Sequence, residues 1–318
     1  MAAGLGSRLD PFTRERPKPL FPAGGATFLD RSALFVRECG IDHAVVNAHH
    51  LAPMIDDHVK KAKGWGMDLT VIEERSILGT GGGARNAARH LPEGSLLIVA
   101  GDVAFDIDPA AFVAAHRSSG AGATIAVATE GDVETYGGLW VTDDGRVTDI
   151  AGLLDRREGR LIVNASAYIV DKALIGHLPG PGGCLVRDFL VPLLRDGVPI
   201  GAYVHEGFWA ESGRPDLLLA ANLALLDLEA RGAAPPAAAA GRADIVEPVL
   251  VGSHVTIDDG VVVGPGVVVG DGCRLGGGSR IERSILLPGA VVTEGEEIDY
   301  TVRSARHNWC RQSVENRS

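Results

Sequence analysis

The sequence is poor in cysteine and has no long hydrophobic run. Its four cysteines, Cys39, Cys184, Cys273 and Cys310, form no CxxC pair, which argues against a zinc site and against a disulfide framework. Apolar stretches such as SLLIVAG are much shorter than the roughly 20 residues of a membrane span. The N-terminal residues also lack the basic region and apolar core of a signal peptide. These absences predict a cytoplasmic protein without a membrane partner.

Positive charge is scarce as well. The formal net charge is −11, which disfavours a nucleic-acid partner, because affinity for a phosphate backbone comes from clustered lysine and arginine. Only five of the 318 residues are lysine, and three of them, Lys60, Lys61 and Lys63, share one segment. Any phosphate bound here is therefore expected to be small and locally held, and Lys18 is conspicuous.

Residues 28 to about 130 alternate between amphipathic helical stretches and short apolar strands. FLDRSALFVREC has a helical period, for example, and HAVVNA and SLLIVAG are typical of buried strands. Strands of about four to seven residues separated by helices of about ten predict βαβ units, and hence an α/β fold with a Rossmann-like, mostly parallel sheet. A mixed extension follows, so residues 1–229 are assigned to this domain.

The remainder divides into a linker, a repeat and a tail. Residues 230–243 are rich in alanine, proline and glycine and are predicted to be a linker. Residues 244–295 fit a six-residue repeat, which predicts a short left-handed parallel β-helix. The aliphatic third positions are Val251, Ile257, Val263, Val269, Leu275, Ile281 and Leu287. A β-helix of about two to three coils needs its ends covered, which favours docking on the first domain or a homo-oligomer. Residues 296–318 are assigned to a C-terminal tail.

The N-terminal segment MAAGLGSRLDPFTRERPKPL places glycines and two cations on a proline-stiffened loop. Gly4 and Gly6 allow the backbone to approach an anion, and Arg8 and Lys18 can neutralise it. These residues alone fit either a triphosphate cradle or a solvated basic loop.

The same segment resembles the signature AAGxGxRxxPxTxxxPKPL of the sugar-1-phosphate nucleotidyltransferases, and every fixed position is met. Further similar strings follow in the family's order, among them ILGTGGGARNA, VAGDV, VNASAYIV and GFWAESGRPDLLLAAN. The C-terminal repeat is similar to that of the mannose-1-phosphate guanylyltransferase branch. The resemblance implies transfer of a nucleotidyl group from a nucleoside triphosphate to a sugar 1-phosphate, with release of pyrophosphate.

The resemblance also implies roles for individual residues. Arg8 would hold the departing pyrophosphate and Lys18 would reach the phosphate chain. The backbone of Ala3, Gly4 and Gly6 would line the phosphates, and Thr80, Gly81 and Gly82 would face the base. Gly138 and Asn164 would contact the sugar. Independently of the resemblance, Glu73 or Glu74, just before the glycine loop, could accept hydrogen bonds from sugar hydroxyls or could simply lie at a solvated loop end.

A Mg²⁺ cofactor is implied by the same family, with two carboxylate ligands. Asp102 lies at the end of an apolar strand, where ligands bind in α/β sheets. It could instead cap the next helix, although Asp106 and Asp108 are better placed for that. Glu211 stands where the family has an aspartate, and glutamate can also coordinate Mg²⁺.

Two features leave the substrate open. The family's EKP motif, whose lysine meets the sugar phosphate, is absent from DIAGLLDRREG. Either Arg156, Arg157 or another arginine replaces that lysine, or the chain belongs to a branch that binds the sugar phosphate differently. GTP and mannose 1-phosphate are favoured by the C-terminal repeat. A uridylyltransferase for an amino-sugar 1-phosphate such as N-acetylmuramic acid 1-phosphate is the alternative, since TGGG resembles that branch. A non-catalytic nucleotide-sugar-binding regulatory subunit is the alternative from another class.

In the family an apolar strand leads into AAGxGxR and lies centrally in the sheet. Here the motif follows Met1 directly, so the expectation is that the first strand is missing and that the native chain starts upstream of Met1.

Overall fold

The computed structural model describes residues 1–131, 133–229 and 243–311. Except for Ala243, the predicted linker lies outside the described residues, as do the last seven residues of the predicted tail. Within the described ranges, no helix is both long enough and apolar enough to cross a membrane.

The chain forms eight α-helices and 24 strands within these ranges. The helices are α1 Phe28–Glu38, α2 Ala52–Lys61, α3 Gly79–Ala88, α4 Pro109–Ser119, α5 Val133–Tyr136, α6 Lys172–Ile175, α7 Val191–Arg195 and α8 Pro215–Glu229. The first twelve strands are β1 Pro22–Ala23, β2 Ala26–Thr27, β3 His43–Ala48, β4 Asp68–Glu73, β5 Leu96–Val99, β6 Val103–Phe105, β7 Ala123–Ala128, β8 Gly138–Val141, β9 Val147–Ile150, β10 Arg160–Val170, β11 Ile200–His205 and β12 Trp209–Glu211. The others are β13 Ala243–Ile245, β14 Val249–Val251, β15 Thr256–Ile257, β16 Val261–Val263, β17 Val267–Val269, β18 Arg274–Leu275, β19 Arg280–Glu282, β20 Ser284–Leu286, β21 Val291–Val292, β22 Glu297–Asp299, β23 Thr301–Arg303 and β24 Asn308–Cys310. Short 3-10 turns cover Ser7–Leu9, Phe12–Arg14, Lys18–Leu20 and Lys63–Gly66, and a π-helical turn covers Val186–Leu190.

The packing divides the chain into two units. The sheet unit comprises Met1–Leu5 and Leu29–Ala210, and the β-helix unit comprises Gly6–Phe28 and the described residues from Glu211 onward. Residues 6–28 and 211–229 therefore pack with the β-helix rather than with the domain to which they were assigned. Asn222 of α8 helps to explain this packing, because its Oδ1 accepts from Gly24 N at 2.9 Å and its Nδ2 donates to Pro22 O at 2.8 Å.

The sheet unit is built around β7 and β10, which confirms the α/β class. Strands β11, β7, β10, β8 and β9 lie in that order, and β5 also pairs with β10. β7 runs parallel to β11, whereas β10 runs antiparallel to β5, β7 and β8. All six residues of β7 are buried. Since side chains alternate along a strand, both faces of the sheet are covered at β7.

β3 and β4 form a separate parallel pair in the sheet unit. An apolar cavity of about 330 Å³ is lined by Ala44–Val46 of β3 and Leu96–Val99 of β5, among others. At its edge the Met1 amine donates to Val99 O at 2.7 Å, and Met1 O accepts from Gly101 N at 2.8 Å. The expectation of a further strand before Met1 stays a prediction.

The β-helix unit stacks short parallel strands in three faces. β14 pairs with β17, β15 with β18 and β16 with β19, each 18 residues apart in sequence. The aliphatic residues Ile257, Val263, Val269, Leu275 and Ile281 are buried together, which confirms a parallel β-helix.

The next coil is one residue shorter than the six-residue repeat predicts. β17 pairs with β20 at a spacing of 17 residues, so Val269 lies opposite Leu286. Leu286 therefore takes the core position that the repeat predicted for Leu287. The predicted end at residue 295 is also wrong, because β22 and β23 still pair in parallel with β19 and β20. Much of the predicted tail is thus part of the β-helix.

Candidate active site

The first residues of the signature are anchored in the sheet unit. Ala2 and Ala3 are buried, and Ala2 N donates to Asn47 Oδ1 at 2.9 Å. Burial lowers the pKa of the Met1 ammonium to about 6, although the nearby carboxylates of Asp102 and Glu74 favour its charged form. Gly4 is exposed, and a β-carbon there would have no neighbour within 4 Å. The backbone at Gly4 is therefore open to a ligand, as its predicted role requires.

The rest of the signature folds within the β-helix unit. Gly6 adopts the left-handed conformation, with φ of 63°, and precedes the 3-10 turn Ser7–Leu9. A β-carbon at Gly6 would lie 2.9 Å from Thr13 Cγ2 and 3.3 Å from Lys18 Cβ. Glycine is required at this position both by its conformation and by the close packing of Thr13 and Lys18.

A buried pair of opposite charges lies beside this turn. Lys18 Nζ is 3.7 Å from Glu211 Oε2, and the two side chains are 9% and 11% exposed. Glu211 Oε1 is buried without a hydrogen-bond partner among the residues that the structure describes. A β-carbon at Gly213 would lie 2.5 Å from Glu211 Oε1 and 2.9 Å from Arg8 Nη2. Glycine at 213 thus lets the carboxylate and the guanidinium approach the same point.

The phosphate-loop segment is held by the last part of the β-helix. Ser304 Oγ donates to Glu15 Oε1 at 2.8 Å, and His307 Nε2 lies 3.3 Å from the same oxygen. The ring of His307 also packs edge-on against that of Phe12, with centroids 6.3 Å apart. This anchor could not be predicted from the sequence, because 289 residues separate Glu15 from Ser304.

Asp102 lies in the turn that follows β5, as predicted. The helix-cap role that was the alternative for Asp102 is filled by Asp108, whose Oδ1 accepts from Ala110 N and Ala111 N at the start of α4. The adjacent backbone is fixed to β10, since Ala100 N donates to Ser166 O at 3.0 Å. Ser166 has a φ of 62° within a register shift of β10 between Asn164 and Tyr168.

Asn164 lies at this same shift, and so on the strand that borders the end of β5. Its Oδ1 accepts from Ser166 N at 2.9 Å and from Tyr168 OH at 3.1 Å. These bonds fix the orientation of its amide. The structure therefore brings Asn164 to the edge that carries Asp102, and contact with a sugar stays a prediction.

The glycine loop Thr80–Gly82 forms the first turn of α3. Gly81 N and Gly82 N both donate to Gly183 O, at 2.9 Å and 3.3 Å. Thr80 Oγ1 accepts from Leu185 N at 2.8 Å. A β-carbon at Gly81 would lie 2.4 Å from Pro179 Cγ, so the glycine allows close packing of the 179–185 segment. The loop is formed where the sequence predicted it, and its role in reading a base stays a prediction.

Glu74 differs from its expected role. It is buried, with Asn47 Nδ2 donating to its Oε1 at 2.7 Å and Leu78 N donating to its Oε2 at 2.9 Å. Because both oxygens are engaged below the surface, Glu74 is not placed to bind sugar hydroxyls; its neighbour Glu73 is exposed. Asn47 was not among the predicted site residues, although an amide inside the apolar run HAVVNA was a signal.

Two further predictions concern the sugar side of the sheet unit. A β-carbon at Gly138 would lie 2.5 Å from Leu161 Cδ1, so packing explains this glycine, and a sugar contact stays a prediction. Arg156 Nη1 donates to Leu194 O at 3.3 Å, and buried Asp149 accepts from the amides of Leu154 and Arg156. The arginine-bearing loop is thus folded back onto α7.

Family models match most of the chain. Residues 1–227 match the family described as nucleotidyl transferase, and residues 245–313 match the GMPPB C-terminal domain.

Individual proteins are similar over shorter or longer ranges. The mannose-1-phosphate guanylyltransferase of Mycobacterium tuberculosis is 28% identical over 245 residues, which are 76% of this chain and 66% of that protein. The N-acetylmuramate alpha-1-phosphate uridylyltransferase of Caulobacter vibrioides is 35% identical over 101 residues, 31% of this chain and 42% of that protein. The crystal structure of HddC from Yersinia pseudotuberculosis complexed with GMP-PN matches with a TM-score of 0.57 and 26% identity, over 70% of this chain and 95% of that chain. The chain therefore spans about two thirds of the guanylyltransferase that it matches.

Proposed function

The chain belongs to the nucleotidyl transferase family, and we propose that it converts a nucleoside triphosphate and a sugar 1-phosphate into a nucleoside-diphosphate sugar and pyrophosphate. The observation that carries this proposal is the phosphate loop, in which left-handed Gly6 packs on buried Lys18 and Arg8 approaches Gly213. A solvated basic loop would leave its lysine in water, whereas Lys18 is held in the buried pair with Glu211, whose carboxylate approaches Gly213 as Arg8 does.

The reaction needs charge neutralisation more than a covalent nucleophile. A phosphate oxygen of the sugar 1-phosphate forms a bond to the α-phosphorus, and the bond from that phosphorus to the bridging oxygen breaks. The electron pair leaves with pyrophosphate. In this proposal Lys18 and Arg8 neutralise the charge that grows on the leaving group, and the open backbone amide of Gly4 donates to a phosphate oxygen.

Mg²⁺ is proposed as the cofactor, with Asp102 and Glu211 as its ligands. The fit is supported by Glu211, whose buried Oε1 has no hydrogen-bond partner among the described residues, a costly arrangement that a cation would relieve. No group of three or more metal-binding side chains occurs in the described part of the chain, but Mg²⁺ commonly uses one or two carboxylates and keeps its waters. When bound, the ion would neutralise phosphate charge and orient the phosphates.

GTP and mannose 1-phosphate are the proposed substrates. The support is the match to a guanylyltransferase, the complex of HddC with GMP-PN, and the GMPPB C-terminal domain match. The similarity to an N-acetylmuramate uridylyltransferase makes UTP with an amino-sugar 1-phosphate the second candidate. A cytoplasmic location and a homo-oligomer formed through the β-helix stay predictions.

Initial rates of pyrophosphate release test these substrates directly. GTP, UTP, dTTP, CTP and ATP are each combined with a panel of sugar 1-phosphates that includes mannose 1-phosphate and N-acetylmuramic acid 1-phosphate. We expect the highest kcat/KM with GTP and mannose 1-phosphate. Release with UTP and the amino sugar alone would favour the second candidate, and no release with any pair would favour the regulatory subunit.

Asp102→Asn tests the metal proposal. It keeps the side chain's shape and removes its charge, so we expect kcat to fall about 100-fold or more, equivalent to about 3 kcal/mol of transition-state stabilisation. Asp108→Asn is the matched control, because asparagine also caps a helix and α4 should remain intact. Turnover by Asp102→Asn near the parent rate would refute its assignment as a ligand.

A further inference from the structure

A chain of buried hydrogen bonds runs through the sheet unit from the signature to the glycine loop. Ala2 N donates to Asn47 Oδ1 at 2.9 Å, and Asn47 Nδ2 donates to Glu74 Oε1 at 2.7 Å. Leu78 N donates to Glu74 Oε2 at 2.9 Å. We call Asn47 and Glu74 the bridge. It connects the backbone just before Ala3 and Gly4 to the backbone just before Thr80.

Two parallel strands hold the bridge in place. Asn47 is the next-to-last residue of β3, and Glu74 directly follows β4. The register pairs Ala48 with Glu73, and Glu74 N donates to Ala48 O at 2.7 Å. The ring of His49 adds a contact of 2.7 Å between Nδ1 and Glu74 O. The two side chains are therefore fixed by the ladder and by bonds on either side.

The bridge is sealed from solvent. Asn47 is 2% exposed and Glu74 is 3% exposed. A β-carbon at Gly83 would lie 2.9 Å from Asn47 Nδ2 and 3.0 Å from Glu74 Oε1, so the glycine at 83 leaves the space that the bridge occupies. Burying a carboxylate is costly unless donors satisfy it, and an aliphatic pair would hold the strands together without that cost. Such an aliphatic pair could not supply the aligned donors and acceptors that bond the backbone at both ends.

We propose that Asn47 and Glu74 are positioning residues for the nucleoside triphosphate. This inference rests on the proposed function and on the predicted roles of two loops, with the phosphates at Ala3–Gly4 and the base at Thr80–Gly82. By bonding the backbone of both loops, the bridge sets the spacing between the phosphate end and the base end of the nucleotide site. Neither side chain touches the nucleotide, because both are buried beneath the loops.

The chemistry of the bridge permits an isosteric swap. In Asn47→Asp, two carboxylates face each other without a hydrogen between them. In Glu74→Gln, the side-chain NH₂ must face either Leu78 N or Asn47 Nδ2, and both are donors. In the double variant Asn47→Asp/Glu74→Gln, Ala2 N donates to one oxygen of the introduced aspartate, and the NH₂ of the introduced glutamine donates to the other. Leu78 N then donates to the amide oxygen of that glutamine, so every bond and the net charge are restored.

The experiment measures kcat and the KM of each substrate for the parent, both single variants and the double variant, using GTP and mannose 1-phosphate. We expect each single variant to raise the KM for GTP roughly ten- to 100-fold, the range for a lost hydrogen bond to a charged group. We expect the KM for mannose 1-phosphate to change less than about threefold, and the double variant to return near the parent. Glu93→Gln is the control, since its carboxylate forms a surface ion pair with Lys172.

Several outcomes would overturn the proposal. A lowered melting temperature with unchanged KM for GTP would make the bridge structural only, and so would equal increases in both KM values. Failure of the double variant to recover would refute the pairing of donors and acceptors. If Asn47→Asp does not fold, Glu74→Gln and the double variant still make the comparison. If the parent shows no turnover, the proposed function fails, and equilibrium binding of GTP to the same proteins tests the bridge separately.

Discussion

Gly6→Ala probes the conformation on which the phosphate loop depends. An alanine at φ of 63° adopts the left-handed region at a cost of about 1 to 2 kcal/mol. Its β-carbon would lie 2.9 Å from the methyl carbon of Thr13, a residue that is only 3% exposed. Overpacking of this kind costs about 1 to 3 kcal/mol. The free energy of unfolding should therefore fall by about 2 to 5 kcal/mol.

Three further variants, Thr13→Ser, Gly6→Ala/Thr13→Ser and Gly4→Ala, separate these contributions. Thr13→Ser removes the clashing methyl group and keeps the hydroxyl, so Gly6→Ala/Thr13→Ser should recover the packing part while the conformational part remains. Gly4→Ala is the matched stability control, because a β-carbon there meets nothing within 4 Å. It should leave the free energy of unfolding unchanged or raise it by about 0.4 to 1 kcal/mol.

Urea denaturation of the four variants and the parent gives these free energies from the midpoints and slopes. Activity should fall in Gly6→Ala as well, because the new β-carbon also crowds Lys18 Cβ at 3.3 Å. A loss below about 0.5 kcal/mol in Gly6→Ala, typical of an unconstrained surface site, would refute the description of this turn. If the free-energy changes of Gly6→Ala and Thr13→Ser simply add in the double variant, the steric clash with Thr13 is refuted as a cause, while the conformational cost at Gly6 is not.

Two other predictions concern the β-helix unit. A hydrogen bond from Arg303 lowers the pKa of Glu296 to about 2, so the ionised carboxylate stabilises the fold above pH 4.5 and loses that effect as the pH falls towards 2. Relative to the parent, Glu296→Gln should be less stable by about 1 kcal/mol at pH 6, allowing for solvent screening, and equally stable at pH 2; a difference that persists at pH 2 would contradict this origin. Gly213→Ala would place a β-carbon 2.5 Å from Glu211 Oε1 and 2.9 Å from Arg8 Nη2. Both atoms are the ends of long side chains that can shift away, so kcat should fall at least tenfold while stability falls less than in Gly6→Ala. Steady-state kinetics and urea denaturation check both halves of that expectation, and an unchanged kcat would show that the two charges need not approach each other.

Local pattern was sufficient for much of the fold. The alternation of helices and strands predicted the α/β unit, and fixed aliphatic positions predicted the core of the β-helix through Ile281. The slip to Leu286 could not be predicted, because the sequence around Arg283 continues to fit the six-residue phase while the chain shortens its coil by one residue. Hydrophobic period indicates which side chains face inward, but the partner strand decides the register.

The candidate site was predictable where its residues lie close together in the chain. Gly6 and Lys18 belong to one short motif, and Asp102 follows a recognisable strand. The bridge was not predictable in this way, since Asn47 and Glu74 are 27 residues apart and Ala2 is 45 residues from Asn47. The sequence also does not show whether a carboxylate is buried or exposed. Glu74 could therefore be distinguished from Glu73 only once its hydrogen-bond donors, Asn47 Nδ2 and Leu78 N, were known.

The β-helix unit combines two parts of the chain that the ribosome synthesises at different times. Its N-terminal part, residues 6–28, packs on residues that are synthesised much later: Gly24 bonds to Asn222, 198 residues on, and Glu15 bonds to Ser304, 289 residues on. At a synthesis rate of about 5 to 20 residues per second, these partners emerge roughly 10 to 60 s after the segment that needs them. The segment that carries Gly6, Arg8 and Lys18 must therefore wait on the ribosome without these partners, while most of the sheet unit can already pack. Translation pauses between residues 29 and 222 would prolong that wait and expose buried residues such as Phe12 and Phe21 to chaperones.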